Sequence, residues 1–169
     1  MSQKAPLSPN FCLSEFLPRG WDGSVPPEEL GNLIALCEQV LEPARAYAGQ
    51  AIHVTANGGW RPDGYNEKHD GVATSDHEAG RAGDIWIQGS KDETWQDATI
   101  RLFHWIRVKL AGRFGQLILE DHRISKGRDT ALWVHVSIPS PKHPGHGDRN
   151  AVLVSPAKGI YHAFEEPHA

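Results

Sequence analysis

An α+β domain built on a mainly antiparallel sheet is predicted for this chain by three observations. Two long stretches carry apolar residues at helical spacing, several short runs alternate with a period of two, and the short runs crowd the second half. Parallel βαβ winding, which would interleave helices and strands throughout, fits that order less well.

The first helix is read from "VPPEELGNLIALCEQVLEPARAYAG". Prolines at its first turn, acidic residues after them and a stripe of Leu30, Leu33, Ile34, Cys37, Val40 and Leu41 specify an amphipathic helix. Pro43 should kink it or end its regular part. "AIHVTA" follows as a half-buried strand, with Ile52 and Val54 alternating against polar neighbours. Residues 57–83 show neither period. A loop this long in a compact domain is usually functional or disordered, and this one carries Trp60, Arg61, Tyr65 and His77, which favours the first. "DIWIQG" is a short strand. "SKDETWQDATIRLFHWIRVKLAG" is a second helix, with Ser90 and Glu93 at capping-box spacing and Trp95, Leu102, Phe103, Ile106 and Leu110 on one side. The remaining strands are "QLILE", "LWVHVSI", "AVLV" and "IYHAF".

At 169 residues the chain is most simply one domain, able to bury about two-thirds of its unfolded surface without staples. A net charge of −4 and no Lys/Arg cluster argue against a nucleic-acid partner, which needs a basic stripe. Cys12 and Cys37 are too few for a disulfide framework and lack the paired spacing of a thiolate zinc site, so two free thiols are expected. No apolar run approaches the roughly 18 residues of a membrane span, and the N-terminus has no leader-like apolar core. Cytoplasmic synthesis without membrane insertion is therefore expected. Monomer is the default, because no separate apolar stripe is left over.

The stretch "TSDHEAGRAGDIWI" poses the chemical question. His77 and Asp84 lie seven apart in a passage of small residues, and glycines there let the backbone bend tightly enough for both to reach one ion. In "LWVHVSI" the period of two sends Leu132, Val134 and Val136 to one face and Trp133, His135 and Ser137 to the other. Two imidazoles and one carboxylate are a set that a catalytic zinc uses, with a fourth position left for water. A half-buried strand histidine and a turn-forming aspartate are the blander reading of the same residues. His143 and His146 in "PKHPGHGDRN" have a metal-compatible spacing, but the prolines and glycines favour a surface loop. His104, among core positions of the second helix, is expected to be packed.

"SDHEAGRAGD" fits the S-x-H-x-x-G-x-A-x-D pattern and resembles the zinc D-alanyl-D-alanine carboxypeptidase family, which includes dipeptidases and phage endolysins and shares its metal-site architecture with the Hedgehog signalling domain. "WVHVS" resembles the family's second ligand strand. "FCLSEFL", "VLEPARAYAG", "IHVTANGGWRPDGYN" and "GQLILE" resemble, in order, segments of one branch common in phage and bacterial proteins. The likeness runs from about Phe11 to the end, which sets residues 1–10 apart as an N-terminal extension and 11–169 as the domain.

The resemblance implies a Hedgehog-like fold with long active-site loops, and Zn2+ held by His77, Asp84 and His135. It implies Arg61 as the residue holding substrate or the developing oxyanion, and Ser75 as a substrate contact. The implied substrate is a D-amino-acid-containing peptide of bacterial peptidoglycan, either its D-Ala-D-Ala end or a cross-link. A lysis enzyme released by phage, or a wall hydrolase carried on a phage particle, suits a chain without a leader.

One departure matters. Several branches carry the catalytic carboxylate three residues before the last histidine, where this chain has Leu132. Glu120, closing "QLILE", is the replacement, since the resembling branch has a glutamate there; Asp121 would point to the opposite face of a regular strand. Trp133 and Ser137, on the face of His135, are candidates to line a substrate groove. Two other classes stay open: a zinc-bearing but inactive structural or binding module, to which Leu132 lends weight, and a non-haem iron oxygenase, whose usual H-x-D pair is narrower than the spacing here.

Overall fold

The computed structural model describes residues 4–65, 75–127, 131–140 and 151–165. Strands Ile52–Val54 (β1), Ala82–Ile87 (β2), Gln116–Asp121 (β3), Leu132–Ser137 (β4), Ala151–Ala157 (β5) and Ile160–Ala163 (β6) form one sheet in the order β1-β2-β4-β3-β5-β6. Every neighbouring pair is antiparallel except β3 and β5, which run parallel. With two main helical segments, this is a single α+β domain.

The helices are Pro27–Leu36 (α1), Glu42–Ala48 (α2), Trp95–Lys109 (α3) and the short turn Arg123–Lys126 (α4). α1 and α2 are joined through Cys37–Leu41, a wide π turn in which the Glu42 N–H reaches back to the Cys37 carbonyl. Pro43 has no N–H for the carbonyl four residues before it, and its ring would crowd that group. Widening the turn just upstream lets the helix run on to Ala48, so the irregularity falls ahead of the proline rather than at it. The start of α3 also differs from expectation. Thr94 is the cap, its hydroxyl accepting from the Asp97 N–H at 3.1 Å, while Ser90 and Glu93 close a separate turn (Ser90 N to Glu93 O, 2.8 Å).

Leu33, Leu36, Cys37, Val40 and Leu41 from the first helical segment and Leu102, Phe103 and Ile106 from α3 are fully buried, together with Ile85, Ile87, Leu117, Val134 and Val136 from the sheet. Helices and core thus lie on one face of the sheet. Leu7 is also in this core, and Ser8 and Asn10 bond the Glu42 carboxylate, so residues ahead of Phe11 pack onto the same body. Cys12 and Cys37 are free thiols. Burial pushes the Cys37 thiol far above its ordinary range, which leaves it no nucleophilic role. His104 is exposed on α3, its ring edge-on to Phe103 and Phe164, and is not a core residue as its neighbours in sequence suggest. Among the described residues no helix is long and apolar enough to cross a membrane.

The other face of the sheet is where strand alternation places the polar residues. Cα partners share a face, so Asp84 opposite His135, and Glu120 opposite Trp133 and Ser155, lie together on the side away from the helices.

Candidate metal centre

Asp84 sits within β2, which begins two residues earlier than the sequence pattern suggests. Its backbone is held on both sides, the N–H donating to the Gly58 carbonyl (2.7 Å) and the carbonyl accepting from the Thr55 N–H (2.8 Å). Antiparallel pairing with β4 sets His135 directly opposite, and His135 Nδ1 lies 2.9 Å from Asp84 Oδ1.

His77 arrives from the turn ahead of β2. The Gly80 N–H and the Arg61 N–H both donate to the His77 carbonyl at 3.1 Å, and the Arg81 N–H donates to the Asp76 carbonyl at 2.8 Å. Gly80 has φ +67°, and a Cβ there would strike the Glu29 backbone at the start of α1. Only glycine meets both demands, which explains that residue of the SDHEAGRAGD passage.

The His77 ring is oriented by its far nitrogen. Nδ1–H donates to the Gly59 carbonyl at 2.8 Å, so Nε2 is the unprotonated nitrogen facing the site in the neutral ring. Gly59 in turn packs so closely against the Phe16 backbone that a side chain would not fit.

His77 Nε2 is 3.3 Å from Asp84 Oδ1 and 3.2 Å from His135 Nδ1. Four ligands set tetrahedrally at about 2.0–2.1 Å would stand roughly 3.3 Å apart, so these donor separations suit a small divalent ion. The three donor atoms form the group among the described residues that could hold a metal. His77 is 3% exposed, and Asp84 is also buried.

Each donor's electrostatics follows from this packing. Burial alone would raise the Asp84 carboxyl, but the charge of His77 and hydrogen bonds from His135 and His77 outweigh it and hold the group far below the carboxylate range. Burial lowers His77, against the opposing pull of the Asp84 charge and hydrogen bond. Burial opposes protonation of His135 too, yet bonding to Asp84 and the charges of Asp84, Glu120 and Asp76 raise it. Both Asp76 carboxylate oxygens are buried without a hydrogen-bond partner among the described residues.

Arg61 lies at the rim of the site. Its Nη2 is 3.4 Å from Asp84 Oδ2, and its Nε donates to the Asn57 carbonyl at 3.2 Å. Asp84 thus turns one oxygen to the histidines and the other to a guanidinium, an outer contact that would fix the carboxylate's orientation if it held a metal.

Glu120 is only 8% exposed, so it is not the solvated strand-end carboxylate that its position alone would suggest. Burial raises its carboxyl above the usual range, opposed by a hydrogen bond from Ser155 and the charges of His135 and His122 and reinforced by Asp84. Asp121 points elsewhere and pairs with Arg123 at 2.7 Å. Leu132 is buried, and the strand period turns it away from His135.

The remaining expectations divide. Ser75 shapes the ligand turn, its hydroxyl 3.3 Å from the His77 N–H and its carbonyl accepting from Glu78. Trp133 is half-buried, edge-on to His122 at 5.0 Å with Lys126 Nζ 5.6 Å from its ring centre. Ser137 cannot line a groove: it is fully buried, and its hydroxyl accepts from the Gln116 N–H at 3.1 Å. His143 and His146 lie outside the described residues.

Three residues were not singled out by sequence: His122, Ser155 and Tyr161. His122 Nε2 is 2.8 Å from Glu120 Oε2 and 3.0 Å from Ser155 Oγ. Tyr161, half-exposed on β6, has its hydroxyl raised by burial and by the charges of Glu120 and Asp84. His122 falls just past the end of β3 and Tyr161 is the second residue of the short β6, so neither stands out by period.

Compared with family models and with curated proteins, the sequence matches none of either.

Proposed function

We propose that the protein is a zinc-dependent peptidase that hydrolyses the short peptides of bacterial peptidoglycan, with His77, Asp84 and His135 as metal ligands and Glu120 as general base. The observation that carries it is the convergence of His77 Nε2, Asp84 Oδ1 and His135 Nδ1 within hydrogen-bond distance of one another on the sheet face that also bears the buried Glu120. The substrate class comes from the resemblance of SDHEAGRAGD and WVHVS to the D-alanyl-D-alanine carboxypeptidases.

His77, Asp84 and His135 would hold a zinc ion, which when bound would polarise the scissile carbonyl and acidify a water towards neutral pH. Glu120 takes the proton of the attacking water and delivers it to the departing amine nitrogen, and its raised affinity for protons suits both halves of that transfer. Arg61 holds Asp84 in its ligating orientation and presents positive charge where the oxyanion develops. The inactive-module reading draws on Leu132, where several branches of the resembling family carry the catalytic carboxylate; the buried Glu120 on the sheet face of His135 favours the enzyme reading over it.

Incubation of zinc-loaded protein with purified muropeptides, with products read by mass and Glu120→Gln alongside, tests the proposal. Cleavage of a peptide bond by the wild type and its loss in the variant, with metal retained, is the expected result. Intact muropeptides with a fully zinc-loaded wild type would refute it.

A further inference from the structure

Beside the metal ligands lies a second polar cluster, inside the sheet. Glu120 on β3 has Ser155 of β5 as its Cα partner, and His122, just past the end of β3, bridges them: Nε2 is 2.8 Å from Glu120 Oε2 and 3.0 Å from Ser155 Oγ. His122 is 3% exposed and Ser155 1%. The imidazole is fixed from several sides. Its backbone N–H donates to Ala131 O (2.8 Å), its carbonyl accepts from Lys126 N (2.9 Å), and Trp133 packs edge-on against the ring.

A serine, a histidine and a glutamate in contact invite comparison with a serine-hydrolase triad. The geometry excludes it. One ring nitrogen meets both partners, whereas a triad uses one nitrogen for the serine and the other for the acid, and the Ser155 hydroxyl has no path to substrate.

The single proton of the Ser155 hydroxyl is shared between the Ala157 carbonyl, at 3.1 Å, and the Glu120 carboxylate, so its oxygen accepts from His122. Glu120 as carboxylate also accepts. Nδ1 of His122 has no hydrogen-bond partner among the described residues. A proton on Nε2 therefore satisfies two acceptors, while a proton on Nδ1 would bury an unmet donor and turn a lone pair towards Glu120.

We propose that His122 is the positioning residue of Glu120: through Nε2–H it pins Oε2 into the sheet and leaves Oε1 as the oxygen that moves the proton. This rests on the reading of Glu120 as general base. In each turnover Oε1 takes one proton from water and returns it to the leaving amine, while His122 keeps its own proton throughout. The arrangement also explains how a carboxylate at a strand end stays aimed at one place, since its burial without a fixed donor would leave it free to swing.

The test uses full-length protein and a two-by-two set of His122→Ala and Glu120→Gln, with His122→Gln as the variant that keeps a donor amide. Expected are a fall in kcat of about 10²-fold for His122→Ala with KM and zinc stoichiometry unchanged, as a small misplacement of a reacting group gives; partial recovery in His122→Gln; and no further loss when His122→Ala is added to Glu120→Gln. Wild-type kcat in His122→Ala, while Glu120→Gln is inactive, would overturn the inference and leave the base assignment standing. Turnover surviving in Glu120→Gln would remove both. A readout independent of turnover is the 15N spectrum of the His122 ring in metal-free protein. A proton on Nε2 is expected, and a bare Nε2 overturns the proposal even if the alanine variant fails to fold.

Discussion

Asp84 and His135 face each other as Cα partners across β2 and β4, and His135 Nδ1 stands 2.9 Å from Asp84 Oδ1. The register of one strand pair thus fixes two of three donors, and only His77 must be delivered by a loop. Removing any one of the three leaves too few protein ligands for a catalytic site. His77→Ala, Asp84→Ala and His135→Ala should each lose the bound equivalent of zinc in metal analysis. Wild-type protein should gain thermal stability with added zinc, by about 4 kcal/mol when free metal reaches roughly a thousand times its dissociation constant. The variants should show no such gain.

The Gly59 carbonyl that orients His77 depends on the residue having no side chain, because Phe16 backbone occupies the space. Gly59→Ala should displace that carbonyl and release the ring. Zinc affinity is expected to fall roughly 10–100-fold, the usual effect of losing an outer partner of a ligating histidine. Competition titration with a chromophoric chelator measures it. Gly20→Ala, at a position with nothing near the added carbon, controls for a general loss of stability despite its own backbone cost.

Arg61 reaches Asp84 Oδ2 from the half-exposed rim. Arg61→Ala should lower kcat/KM about 10²-fold or more through the lost positive charge at the oxyanion. Zinc stoichiometry should hold, because the three ligands remain. Parallel measurement of turnover and metal content separates the two effects, and equal loss of both would assign Arg61 to metal retention instead.

Folding raises the Glu120 carboxyl chiefly through burial, so the folded chain binds that proton more tightly than the unfolded one. At acid pH both states hold the proton and there is no penalty. As pH rises, the unfolded chain ionises first, and stability falls until the folded group ionises as well. Glu120→Gln has no such proton to lose and can still accept from His122. In metal-free protein it should melt above the wild type near neutral pH, with the difference vanishing towards pH 4. Scanning calorimetry across pH checks the sign, and a variant less stable at every pH would contradict it.

The placement of His135 was legible because it rests on a local rule. The period of two in LWVHVSI separates His135 from Val134 and Val136, and the structure keeps that separation, with both valines fully buried on the helix side. Gly80 was legible as a turn former, but its close approach to Glu29 of α1 is a tertiary contact that no local pattern reveals. His122 was missed for a similar reason. Its partner Ser155 lies 33 residues on and is brought alongside by the parallel β3–β5 pair, which a chain of hairpins does not predict. Two Ser/Thr–acid spacings competed for the start of α3, and Thr94 with Asp97 prevailed over Ser90 with Glu93, whose backbone forms a closed turn.

The most direct measurement of the central claim is X-ray absorption at the zinc edge on the stoichiometric zinc complex, compared with His135→Ala. A light-atom shell at about 2.0–2.1 Å with two imidazole contributions and no sulfur is expected, reduced to one imidazole or lost altogether in the variant. A shell containing sulfur, or one unchanged by the substitution, would place the metal elsewhere and contradict it.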